Sequence, residues 1–171
     1  MSLAADAAYD QLRAIAEGRD LRITTAAATD SVPVTSLLAW AQAQVQKVGA
    51  QNRIQLSRRD GAERVLAGGS RGGPYLTHRN GLRCSFEFVL IEQPGGAGIQ
   101  SYSMELRPPE DHSKAPAFLR WEYTPVRKED VDAIREPLAH VHPGHDEVRL
   151  PAPVHTVKEL ILMFTHTDLW T

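Results

Sequence analysis

This chain has a single cysteine, Cys84. One thiol excludes an intramolecular disulfide, and it excludes any zinc site built from several cysteines of one chain. Cys84 stands in an apolar alternation and is expected to be a small buried hydrophobe. Long apolar runs are missing too. Nothing approaches the roughly 20 residues that span a bilayer, and the N-terminus is Ala-rich with early acids where a secretory signal would be basic and then apolar. The expectation is a cytoplasmic protein with no membrane partner. Nor is there charge of one sign: a net charge of -2 gives no global field toward nucleic acid and leaves that task to local basic patches. There is no internal repeat and no low-complexity tail.

What is present suits one globular domain. At 171 residues, 42% hydrophobic and 23% charged, the chain is long enough for its own core and short for a second one. The pattern predicts a single α+β domain: an antiparallel β-sheet meander packed against N-terminal and C-terminal helices. Its helical part covers about residues 1–50, its sheet about 53–124, and its His-rich loop and C-terminal helix 137–170.

Residues 3–17 carry Leu12, Ile15 and Ala16 at helical spacing, with Gly18 placed to end a short helix. A stronger helix follows. Val34, Leu37, Leu38, Ala41, Val45 and Val48 recur on one face, Ser31 or Thr35 can cap it, Pro33 fits its first turn, and Gly49 ends it. Residues 53–57 and 63–67 read as a hairpin around Asp60-Gly61. The glycine-rich run from Gly68 to Pro74 lacks the Lys-Ser/Thr that closes a phosphate-binding Walker loop, so it reads as a flexible connection.

From Arg83 the chain alternates as a strand. Cys84, Phe86, Phe88 and Leu90 lie on one face, and Val89 and Ile91 make the second half apolar on both, as in a central strand. Pro94-Gly95-Gly96-Ala97-Gly98 reverses the chain into residues 99–107, and residues 118–124 form a third member. Short links with no helical crossover predict an antiparallel meander. Arg120 and Glu122 share a face and read as a cross-strand charge ladder with Arg107 and Glu105, on a solvated side of the sheet. Residues 128–135 suggest one or two helical turns. Thr156 with Glu159 is a capping box opening a final helix that ends near Trp170.

The densest chemistry lies in His140-Val141-His142-Pro143-Gly144-His145-Asp146. Pro143 and Gly144 argue against regular structure, which would let the three rings converge. Three readings stay open. His140, His142 and His145 with one free position have the composition of a hydrolytic site for a divalent metal such as zinc. Their spacing is similar to the His-x-His-x-Asp-His signature of metallo-β-lactamase-like hydrolases, although Gly144 stands where that signature has Asp. Without metal, His140 and His142 as base and acid with Arg120 as charge stabiliser would suit RNA cleavage through the ribose 2'-hydroxyl. The third reading is a loop whose histidines are surface residues or partner contacts.

Residues 101–164 run through a strand, a polar loop, the Arg-bearing strand Phe118-Leu119-Arg120-Trp121-Glu122-Tyr123, the His140-x-His142 run and the Thr156-x-x-Glu159 helix. This order resembles the TumE-type toxins of bacterial toxin-antitoxin pairs. The resemblance implies a catalytic set of Arg120, His140 and His142, an RNA or other nucleic-acid substrate, and an antitoxin-like protein partner. Glu122 and Tyr123 stand where that family's pattern has Asp and Asn. A nucleic-acid enzyme of this kind predicts a basic groove from Arg53, Arg58, Arg59, Arg71, Arg79 and Arg83. The competing reading, a non-enzymatic binding or assembly module, predicts dispersed arginines and an apolar contact or homodimer surface.

Overall fold

A computed structural model describes residues 29–110, 116–124 and 139–166; the helices expected at 3–17 and 128–135 fall outside them. The architecture is the expected α+β one. In chain order the elements are β1 (Thr29–Asp30), α1 (Val34–Lys47), β2 (Gln55–Arg58), β3 (Glu63–Gly68), β4 (Leu76–Thr77), β5 (Arg83–Gln93), β6 (Gly96–Arg107), β7 (Leu119–Tyr123), β8 (Ala139–Pro143), β9 (Leu150–Pro151) and α2 (Val157–Thr165). The strands form one antiparallel sheet in the order β2-β3-β5-β6-β7-β8-β9, with β1 added to β6 and β4 to β5. Among the described residues no helix is long and apolar enough to cross a membrane.

Alternation along the strands divides the sheet into two chemically different faces. On one face, Leu66, Phe88, Tyr102, Tyr123 and Ala139 stand in register across β3, β5, β6, β7 and β8. Beside that row lie Phe86, Met104, Trp121 and Val141. Phe86 stacks on Phe88 with ring centroids 4.6 Å apart. Leu37, Ala41 and Val45 of α1 and Leu160, Ile161 and Phe164 of α2 close over these rows and complete the core. Each such large side chain removed from water contributes about 1.5–3 kcal/mol. Cys84 belongs to this core, and burial pushes its thiol well above the usual range.

The opposite face carries polar rows. Ser85, Glu105, Arg120 and His142 are cross-strand neighbours, and so are Glu87, Ser103, Glu122 and His140. This is the ladder read from the sequence, but its centre is not solvated: Glu105 is 2% exposed and Arg120 4%, while Glu122 and Arg107 stay partly exposed.

Neither helix start matches its simplest sequence signal alone. Ser31 and Thr35 do not cap α1. Pro33 takes the N-cap position without a side-chain bond, and Glu92, at the end of β5, accepts from the Val34 N–H at 3.1 Å. The expected capping box does open α2: Thr156 Oγ1 accepts from the Glu159 N–H and Glu159 Oε2 from the Thr156 N–H. A third acceptor comes from β1, where buried Asp30 takes the Val157 N–H at 3.0 Å. At the other ends, the Gly49 and Ala50 N–H groups return to the carbonyls of Gln46 and Val45, closing α1 as expected. Helix α2 closes at His166, short of the expected end near Trp170.

Burial raises the Asp30 carboxyl above its ordinary value, opposed by the backbone donors of Val157 and Lys158. Asp30→Ala would leave the Val157 donor buried without its acceptor, an expected loss of about 1–3 kcal/mol in chemical denaturation. Asp30→Asn keeps an acceptor oxygen and should recover most of that loss. Equal stability of all three proteins would show that the bond is dispensable.

Candidate metal centre and its charged neighbours

The local pattern Ala139-His140-Val141-His142 is a strand, contrary to the expectation that Pro143 and Gly144 would keep the histidine run irregular. The two residues act one step later: β8 ends at Pro143, and Gly144, at φ 83°, turns the chain away. Because side chains alternate, Val141 points to the core side and the His140 and His142 rings share the polar face. Their centroids are 4.8 Å apart and their planes are nearly perpendicular, at 72°.

Across the β7/β8 pairing, Glu122 lies opposite His140 and Arg120 opposite His142. Glu122 Oε2 is 3.1 Å from His142 Nε2 and 3.5 Å from His140 Nε2, and the two ring nitrogens are 3.1 Å apart. Two imidazole nitrogens and a carboxylate oxygen thus face one point, and this group could hold a metal ion. His142 is 1% exposed, and its other nitrogen, Nδ1, is buried without a hydrogen-bond partner among the described residues. One proton on His142 Nε2 serves Glu122 and His140 together only by being split between them. His145 stands apart. It lies exposed in the turn after β8, outside the group, and Glu122 takes the place assigned to it from the sequence.

Arg120 organises the carboxylates around this point. Its Nε is 3.0 Å from Glu122 Oε1, its Nη1 is 3.5 Å from Glu105 Oε2, and its Nη2 pairs with Asp146. The guanidinium also lies 5.1 Å from the Phe118 ring centre. Burial disfavours its charge, yet the hydrogen bond to Asp146 and the charges of Glu122, Asp146 and Glu105 outweigh that and raise its pKa. Burial likewise disfavours ionised Glu122, but the Arg120 charge, with the hydrogen bond and charge of His142 and the charge of His140, holds its carboxyl below the ordinary range. Asp146 is held low chiefly by its hydrogen bond to Arg120.

Of the arginines expected to line a groove, Arg71 reaches this cluster from the glycine-rich loop, which therefore does more than connect β3 to β4. Its Nε is 3.9 Å from Glu105 and its Nη2 is 3.5 Å from Asp146. The others are dispersed. Arg59 pairs with Glu63, Arg83 with Glu110, and Arg79 with the Lys47 carbonyl, while Arg58 lies on the outer strand β2 opposite Arg64 and Arg53 is exposed just before β2.

The structure thus brings together Arg120, His140 and His142, the residues implied by the toxin resemblance, and joins them through Glu122. Glu105, Glu122 and Arg71 are what sequence reading missed as members of one site. The usable signal was period two: His140 and His142 two apart, facing a strand on which Arg120 and Glu122 are also two apart. Comparison with family models, curated proteins and solved structures finds no match for this chain.

Proposed function

We propose that Glu122, His140 and His142 bind a divalent transition metal such as zinc, and that the chain is a metal-dependent hydrolase working at this point. The supporting observation is the mutual spacing of the three donors, 3.1, 3.1 and 3.5 Å. Metal bonds of about 2.0–2.2 Å at near-tetrahedral angles put ligand atoms about 3.3–3.5 Å apart. The donors are therefore close to ligating positions before any ion arrives. Three protein ligands and an open position are the composition of a catalytic site rather than a closed structural one. Such an ion supplies a Lewis acid and lowers the pKa of bound water toward neutrality.

A second reading keeps a metal-free, toxin-type enzyme acting on RNA in the cytoplasm, held by an antitoxin-like partner or as a homodimer. The convergence of His140 and His142 beside Arg120 favours it. The metal reading takes precedence because Arg120 is engaged by three carboxylates, which leaves it a poor stabiliser of charge on a substrate.

The test is a zinc and manganese titration of untagged protein, wild type beside His140→Ala/His142→Ala and Glu122→Gln. One equivalent bound by wild type, with affinity lowered on the order of 100-fold or more in the variants, is expected. An equal response from all three proteins would reject the metal reading. Cleavage of RNA in the presence of a chelator, lost in the double variant, would establish the second.

A further inference from the structure

Between the glycine-rich loop and the polar face of β5 and β6 lies a cleft of about 460 Å³, lined by Ser70, Arg71, Ser85, Glu87, Ser103 and Glu105 among others. It adjoins the metal donors, since Ser103 Oγ is 3.5 Å from Glu122 Oε1 and Glu105 faces Arg120. Resting on the metal reading above, we infer that this cleft is the substrate subsite and that Arg71 receives an oxyanion, a phosphate or carboxylate carried by a small molecule.

Arg71 differs from the other arginines of the cluster. Arg107 donates to Glu105 at 2.6 Å, and Arg120 is buried among its carboxylates. The Arg71 side chain is 59% exposed, and its contacts to Asp146 and Glu105, at 3.5 and 3.9 Å, are ion pairs without a hydrogen bond. Glu105 and Asp146 already have closer arginine partners, so an incoming anion displaces little when it takes the planar fork of Arg71.

Charge points the same way. Arg71, Arg107 and Arg120 stand against Glu87, Glu105, Glu122 and Asp146, so these seven charged groups sum to one negative charge. A divalent ion at Glu122, His140 and His142 turns that into one positive charge. Anion affinity is thereby coupled to metal occupancy, and a substrate anchored at Arg71 extends along the cleft toward Glu122. The volume is that of a small-molecule site, and among the described residues the dispersal of Arg58, Arg59, Arg79 and Arg83 gives a nucleic-acid strand no track to follow.

The experiment measures binding of inorganic phosphate and of acetate by calorimetry, with and without zinc, to wild type, Arg71→Gln and Asp146→Asn. Circular dichroism checks the fold of each, and the zinc isotherm is recorded separately. Phosphate or acetate should bind the zinc-loaded wild type, at least about 10-fold more weakly to Arg71→Gln and more tightly to Asp146→Asn, where Arg71 has lost its competitor. Which anion binds identifies the group recognised. Undiminished affinity in folded Arg71→Gln, or no anion bound by zinc-loaded wild type, overturns the subsite. A flat zinc isotherm for wild type overturns the metal reading instead, and Arg71-dependent anion binding without zinc would then still support the subsite.

Discussion

Arg120→Met should lower the stability of this protein by about 3–5 kcal/mol, because it removes the buried cation on which the carboxylates of the polar face converge. Methionine fills much of the same space, so the loss reads charge and not cavity. The penalty falls on Glu122, which loses its 3.0 Å arginine partner, and on Glu105, which is 2% exposed and is left with Arg107 and the distant Arg71. Breaking a buried pair from one side is worse than removing both members. Glu105→Gln/Arg120→Met should therefore be more stable than Arg120→Met alone, because the amide introduced at position 105 is neutral and can still accept from Arg107. The pH profile supplies an independent readout. A carboxyl held low in the folded state, as Glu122 is, contributes stability that is complete above its ordinary pKa of 4.5 and lost as pH falls through the depressed value. Without Arg120, the chief cause of that depression is gone, so the acid-side loss shrinks. Denaturation midpoints of wild type and both variants from pH 3 to pH 7 check both effects. A single variant as stable as wild type would mean that the arginine is no keystone.

The same residues show where sequence reading succeeds and where it stops. Strand alternation made the core face of β5 legible because Cys84, Phe86, Phe88 and Leu90 repeat without interruption, and hydrophobic burial acts on each residue alone. The Thr156/Glu159 box was legible because both partners lie within one helical turn. Glu92 on Val34 and Asp30 on Val157 were not, since the bonded residues are 58 and 127 positions apart and no local pattern marks them. The candidate metal donors fall between these cases. His140 and His142 were visible as a pair, and Glu122 was placed on the correct face beside Arg120. Their union depends on the β7/β8 register, which follows from pairing Leu119 with Pro143 and Tyr123 with Ala139. A one-residue slip would send both rings into the core. Burial of the polar rows was misjudged for a related reason. Whether a charged face is solvated depends on partners distant in sequence, and here Glu105 meets Arg120 and Arg71 from other elements.

Gly96→Ala should be about as damaging as loss of Arg120, through geometry and not charge. Gly96 starts β6 at φ 124°, where side-chain-bearing residues carry about 1–3 kcal/mol of strain. A Cβ at this position would also overlap the Asp30 carbonyl oxygen and come within 2.8 Å of the Val32 nitrogen. Both are backbone atoms held by pairing: Asp30 is in register with Ala97, and the Ala97 N–H donates to the Val32 carbonyl at 2.9 Å. Making room means moving β1 off β6, for a further cost of about 1–3 kcal/mol. That movement would also draw Asp30 away from the Val157 N–H at the start of α2, so a methyl group in a hairpin reaches a helix on the core face. Two neighbouring cases separate the contributions. Gly61→Ala meets strain at φ 64° but open space, and Gly95→Ala has open space without a positive φ, so the expected order of loss is Gly96, Gly61, Gly95. Amide exchange adds the spatial prediction: in Gly96→Ala the Ala97 and Val157 protons should lose protection together. A Gly96→Ala protein no less stable than Gly61→Ala would mean that β1 yields freely and does not anchor α2.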